Sequence, residues 1–263
     1  MKKSKIFGYV CLAAGFFVML FCVAQYTPYL TNLRAMEHLR SKAQSMNRYT
    51  EDRGGAADDS DRSSVDLLTE DNKAHGLQID FGYLNRINED ITGWIYIPDT
   101  NINYPVLQGD TLEEYLEKSY DGSASPLGSV FAPPGSQLAT DRHCILFGHR
   151  TFDRQMFGDL EKLSDRSFGE GHCVYLYTGD ICREYEVIAS YCCPPSDISF
   201  NVDLDTVQYF SRISEKISGS GWMGAVDPAQ VDDMLTLVTC PPENSAQYRM
   251  VVQCISRTAV WQD

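Results

Sequence analysis

The sequence of 263 residues predicts a mainly β domain with a few short helices, folded as a closed or nearly closed barrel, behind one N-terminal membrane-spanning helix. Three observations point there. About eight short apolar or alternating runs recur from residue 91 to the C-terminus, punctuated by Gly and Pro. Helical periodicity is confined to a few patches, which leaves the core to a sheet that closes on itself. An uncharged run of nineteen residues, 6 to 24, stands near the N-terminus.

That run, IFGYVCLAAGFFVMLFCVA, is long enough at about 1.5 Å per residue to cross the ~30 Å hydrocarbon layer. Lys2, Lys3 and Lys5 precede it and no basic residue follows until Arg34, so residues 1–5 are a cytoplasmic basic tail and 6–26 a signal-anchor. The competing reading is a cleaved signal peptide ending at Cys22-Val23-Ala24, but its apolar stretch would normally be ~7 to 15 residues. Either way the rest of the chain is exported. Residues 27–76 read as a stalk helix, with Leu33, Met36, Leu39, Ala43 and Met46 at near-helical spacing, followed by an acidic flexible linker beginning EDRGGAADDSDRSS.

The globular domain spans 77–263. Asp80 caps a short helix bearing Phe81, Leu84 and Ile87. The strand signals are ITGWIYIP, INYPVLQ, SVFA, CILFGH, CVYLY, REYEVIASY, MLTLVT and RMVVQCIS. Residues 203–217 set Leu204, Val207, Phe210, Ile213 and Ile217 at helical spacing, and MFGDLEKL near 156 predicts a shorter helical turn.

Charge excludes one class of partner. With Lys2, Lys3 and Lys5 set apart from the 22 basic residues, 19 remain against 36 acidic ones, so no basic face is available for nucleic acid. Cysteines are more informative. Cys11 and Cys22 belong to the apolar run, and seven others lie beyond it: an odd number, which in an exported domain hints at a free thiol. No CxxC pair is present, and His143, Cys144, His149, His172 and Cys173 lack the spacing of a zinc site; no metal and no cofactor are expected.

Strand ends single out three residues. The run Met234 to Thr239 makes a strand that Pro241 and Pro242 must end, leaving Cys240 at its terminus. After eight intervening residues Arg249 opens the next strand, so a hairpin sets the thiol beside the guanidinium, and CILFGH releases His149 just past another strand. Acyl transfer needs such parts: a thiol whose thiolate fraction a cationic neighbour raises, an imidazole to move protons, and a fixed cation at the developing oxyanion. Arg suits the last role better than Lys, a mobile point charge. Each residue also has a plain structural use: packing or a disulfide half for Cys240, a turn for His149, a surface charge for Arg249.

The strings LTLVTC and RMVVQC resemble the cysteine and arginine signatures of sortases, and CILFGH resembles their histidine strand. The likeness runs through INEDITGWIYIPDTNINYPVLQGD, GSVFAPP and FGHRTFDRQMFGDLEKL, over roughly residues 83 to 257. It implies an eight-stranded sortase-type β-barrel, with Cys240 as nucleophile, His149 as general acid/base and Arg249 as oxyanion stabiliser. The helical residues before the first strand and the long segment 194–233 are similar to class B sortases; Arg150 after the histidine and Pro241 after the cysteine depart from their common pattern. The implied reaction cleaves a sorting-signal peptide (LPxTG- or NPxTx-like) of a secreted surface protein after Thr. The thioacyl intermediate then passes to an amine of a peptidoglycan precursor or a pilin, on the outer face of the cell membrane. A pilin-polymerising sortase, a secreted papain-like cysteine hydrolase and a non-catalytic wall-binding module are the alternatives. The papain type expects its cysteine at a helix N-terminus.

Overall fold

The structure, a computed structural model, describes residues 2–53, 77–179, 181–200, 202, 205–217, 221–241 and 247–257. Most of the expected acidic linker, Leu204 and Pro242 lie outside the described residues.

Helix α1 runs from Lys2 to Arg53 and absorbs Pro28 without ending. Among the described residues one segment, Ala14–Lys42, is long and apolar enough to cross a membrane, with mean hydropathy 1.3 in its most apolar stretch. The part expected as a stalk is helical and lies against the barrel wall. Met36 and Leu39, three residues apart on one face, are buried in the main core. Arg40 donates from Nε to the Asn103 carbonyl at 2.8 Å and lies 4.4 Å from the centre of the Tyr104 ring.

Asp80 caps α2 (Phe81–Ile87), its carboxylate accepting from the Tyr83 amide at 2.7 Å, and Leu84 is buried. The sheet then comprises β1 (Ile91–Tyr96), β2 (Asn103–Leu107), β3 (Val130–Phe131), β4 (His143–Phe147), β5 (Cys173–Thr178), β6 (Ile181–Cys193), β7 (Gly221–Met223), β8 (Val231–Thr239) and β9 (Arg249–Arg257). Strand order is β5-β1-β2-β3-β4-β8-β9-β6-β7, and β5 also pairs with β6. Eight strands therefore close into a barrel, while β7 lies outside it on β6. All eight expected strands are present. The three-residue β7, GWM, is too short to show an alternating pattern in sequence.

The expected helical turn near 156 is the 3-10 segment Phe157–Ser164. Helix α3 (Thr206–Ile217) lies within 194–233 and buries Tyr209, Phe210, Ile213 and Ile217. Val207, assigned to the same apolar face, is 62% exposed because the helix turns that first-turn residue away from the sheet.

The segments β4 and β8 read as near-continuous apolar runs because both faces are covered. Inward residues such as Leu146, Leu235 and Leu237 join the barrel core, whereas Met234, Val251 and Ile255 pack with α3 in a second core outside the barrel. This double burial makes β4, β8 and β9 a rigid central unit, and all three candidate site residues sit at its end.

Candidate active site

The site is assembled by strand register. In the antiparallel β8–β9 ladder the last pair is Thr239 with Met250, so the next step sets Cys240 opposite Arg249. In the parallel β4–β8 ladder the last pair is Phe147 with Val238. Two further bonds extend that alignment: the Gly148 amide donates to the Val238 carbonyl at 3.1 Å, and Thr239 Oγ1 donates to the Gly148 carbonyl at 2.8 Å. His149 therefore follows onto the same rim as Cys240. Three residues separated by up to a hundred positions in sequence come to one end of the barrel.

The imidazole of His149 is oriented by a group that sequence reading did not single out. Its Nε2 lies 2.7 Å from the carbonyl oxygen of Leu116. A carbonyl can only accept, so Nε2 bears the proton and Nδ1 is the basic nitrogen of the neutral ring. Leu116 closes a 3-10 turn, Glu114–Leu116, whose neighbour Tyr115 donates its hydroxyl to Asp90 at 2.6 Å and accepts the Ser129 amide at its carbonyl. Gly128 makes room for this arrangement. Its φ is +59°, and a Cβ there would lie 2.9 Å from His149 Cδ2 and collide with the Leu116 carbonyl. A backbone acceptor leaves no mark in side-chain chemistry; a glycine in GSVFAPP was the faint trace of it.

Burial separates Cys240 from Cys144, Cys193 and Cys254. Cys22, Cys144, Cys173, Cys240 and Cys254 are free thiols. Burial pushes the Cys144 thiol up to about 12 and the fully buried Cys254 far above the ordinary range. Cys173 is raised by burial first and by its contact with Glu184. These groups stay protonated and inert at neutral pH. Cys240 is half-buried and stands one residue past the end of β8.

Arg249 is half-buried and donates from Nη1 to the Tyr248 carbonyl at 2.9 Å; across β6 it pairs with Cys193. Arg150 pairs with Glu161 at 3.1 Å, so this departure from the common pattern is tied into the adjoining loop. The remaining histidines considered for a metal hold separate positions: His143 bonds to Thr236 in the outer core, and His172 lies 2.9 Å from the Pro98 carbonyl.

A closed eight-stranded barrel with a thiol, an imidazole and a guanidinium on one rim defines a class of acyl-transfer enzyme. Residues 95–256, more than half of the chain, match the family model described as the sortase domain, and the chain belongs to the sortase family. Sortases are cysteine transpeptidases. The chain is similar to Sortase B of Listeria monocytogenes, 29% identical over 177 residues that cover 65% of this chain and 71% of the relative. It is equally similar to Sortase B of Staphylococcus aureus, 29% identical over 175 residues covering 65% and 72% of the two chains. The solved Staphylococcus aureus sortase B-substrate complex superposes with a TM-score of 0.58 at 28% identity, covering 68% of this chain and 85% of that one. The class B resemblance read from the sequence agrees with these relatives. With Cys240 ending a strand rather than opening a helix, the papain-like alternative has no structural basis.

Proposed function

We propose that this chain is a membrane-anchored class B sortase in which Cys240 cleaves a sorting-signal peptide and hands its acyl part to a cell-wall amine. The single observation that supports the reading is the register of β4, β8 and β9, which sets Cys240, His149 and Arg249 on one rim.

In this mechanism the Cys240 thiolate attacks the carbonyl that follows Thr in an LPxTG- or NPxTx-like motif. The carbonyl π electrons move to oxygen, and the Arg249 guanidinium faces that developing charge with fixed N–H donors. Collapse of the tetrahedral intermediate breaks the peptide C–N bond. The proton on Nδ1 of the His149 imidazolium passes to the leaving amine, while Nε2 keeps its bond to Leu116. A peptidoglycan-precursor amine or a pilin lysine then attacks the thioester, Nδ1 takes its proton, and Cys240 leaves. The Leu116 carbonyl holds one tautomer and one ring orientation through both steps, as an orienting group does in other nucleophile–base pairs.

Anchoring is part of the same reading. The positive-inside rule applied to Lys2, Lys3 and Lys5 sets the N-terminus in the cytoplasm and the barrel on the extracellular side of a single-pass cell-membrane protein.

The test is intact-mass analysis of the full chain in detergent, incubated with LPxTG-like and NPxTx-like peptides, with and without hydroxylamine. The expected result is an adduct equal to the peptide's N-terminal fragment, released as hydroxamate and absent in Cys240→Ala. Arg249→Lys should form it about 100-fold more slowly, the size of effect seen when one oxyanion donor is lost. An adduct that survives in Cys240→Ala would sink the assignment.

A further inference from the structure

Beyond the catalytic rim, the loop that follows His149 presents Phe152 fully exposed, at 102% of its reference area. The loop is held firmly. Thr151 Oγ1 accepts from the Gln155 amide at 2.7 Å and donates to the Gln155 carbonyl at 3.1 Å, and Arg150 bridges Met156. Beneath it, Tyr104 donates its hydroxyl to Gln155 at 3.1 Å and accepts from the Met156 amide at 3.1 Å. Arg154 and Met156 both take positive φ, 62° and 51°, a conformation that non-glycine residues seldom adopt. A phenyl ring is thus held in solvent on a braced and strained support.

The loop also meets helix α1 at a specific height. Tyr29 stands within electrostatic reach of Asp153 and Thr151, the two neighbours of Phe152, and Gln155 of the same loop lines one cleft with Leu30 and Leu33 of the helix. Tyr29 lies three residues beyond the apolar segment 6–26, about 5 Å along the helix axis. The headgroup layer on each side of the hydrocarbon is itself about 5 to 7 Å deep. Tyr26, 62% exposed, stacks at a tilt on Tyr29, and Leu30 is 43% exposed. Paired tyrosines at the end of an apolar helix are the usual residents of the membrane–water interface.

We infer that Phe152 inserts into the outer leaflet beside Tyr26 and Tyr29, so that the barrel rests on the lipid surface through the His149 loop as well as through its tether. The inference rests on the anchored reading given above. Phe152 supplies the apolar contact, and exposed Arg154 can reach lipid phosphates while its stem stays in the interface. A single helix would leave the domain free to swivel; a second contact sets the rim at a fixed height above the bilayer.

The test uses the full chain in vesicles of phosphatidylcholine and phosphatidylglycerol. In Phe152→Trp, emission in excess of wild type reports position 152, since Trp94, Trp222 and Trp261 are common to both proteins and subtract out. The expected result is blue-shifted excess emission that is largely lost when the lipids carry brominated acyl chains. Water-like emission untouched by bromine, in a chain that still floats with the vesicles, overturns the docking inference and leaves the anchor standing. A chain that does not float overturns both. Photoactivatable lipid on the wild-type chain is independent of the variant: label on the peptide containing Phe152 supports the inference, and label confined to the segment 6–26 overturns it.

Discussion

The two faces of the β8–β9 pair differ in chemistry although they share a backbone. The inner face gives Leu235, Leu237, Met250, Val252 and Cys254 to a dry barrel core. The outer face gives Met234, Val251 and Ile255, but at its centre stand Thr236 and Gln253, both at most 1% exposed. These polar groups form a chain. His143 Nε2 meets Thr236 Oγ1 at 2.7 Å, Thr236 donates to Gln253 Oε1 at 2.9 Å, and Gln253 Nε2 donates to the hydroxyls of Tyr191 and Tyr209. Tyr209 in turn donates to the Ser199 carbonyl at 3.1 Å. The inner face is sorted by a non-directional force, since any well-shaped apolar set satisfies it. The outer face must seat α3 and the 3-10 turn Ile198–Phe200 before it in one register, and directional bonds in a low-dielectric core discriminate among positions that apolar contact alone would accept.

The comparison can be broken by mutation. Leu237→Ala should have the largest effect, about 3 to 5 kcal/mol, by opening a cavity in the inner core. Chemical denaturation should show it as a lower midpoint for the entire barrel. Gln253→Met should cost about 2 to 3 kcal/mol by leaving the Tyr191 and Tyr209 hydroxyls and Thr236 short of partners. Hydrogen exchange should then quicken in α3 before it quickens in β1 to β5. If both variants loosen α3 and barrel alike, the two faces are not distinct in the way described.

The outer face should also respond to pH. Burial pulls the His143 imidazole down to about 4 from an ordinary 6.5. The unfolded chain therefore binds a proton that the folded chain refuses between those values, and stability falls as pH drops from about 6.5 toward 4. The loss is about 3 kcal/mol by the lower limit. Urea midpoints of wild type and His143→Gln should converge in slope above pH 7 and part below 6; parallel profiles throughout would remove His143 from this role. The smallest effect belongs to exposed Val207 on the same helix: Val207→Ser should shift stability by under about 0.5 kcal/mol.

Much of this was legible in the chain. Eight strands showed as apolar or alternating runs because the barrel hides one face of each, and Asp80 announced its helix through capping chemistry. Cys240, His149 and Arg249 were legible as candidates for a different reason: each stands at a strand end or within two residues of one. Less visible were β7, whose three residues have no period, and the exposure of Val207, which depends on where the helix turns relative to the sheet. The docking of α1 was hidden too. Met36 and Leu39 show an apolar face, but nothing local says whether lipid, solvent-side neighbours or the barrel will cover it.

The sequence by itself determined the mainly β class and the apolar N-terminal helix and singled out three candidate site residues, because propensity, period and strand-end chemistry are local properties. Only the tertiary structure decided their company: which strands run parallel, that Leu116 offers a carbonyl to His149, and that Gln253 joins the barrel to its insertion. Those contacts pair residues distant in sequence, often through backbone atoms that every residue shares, so no side-chain pattern can encode them.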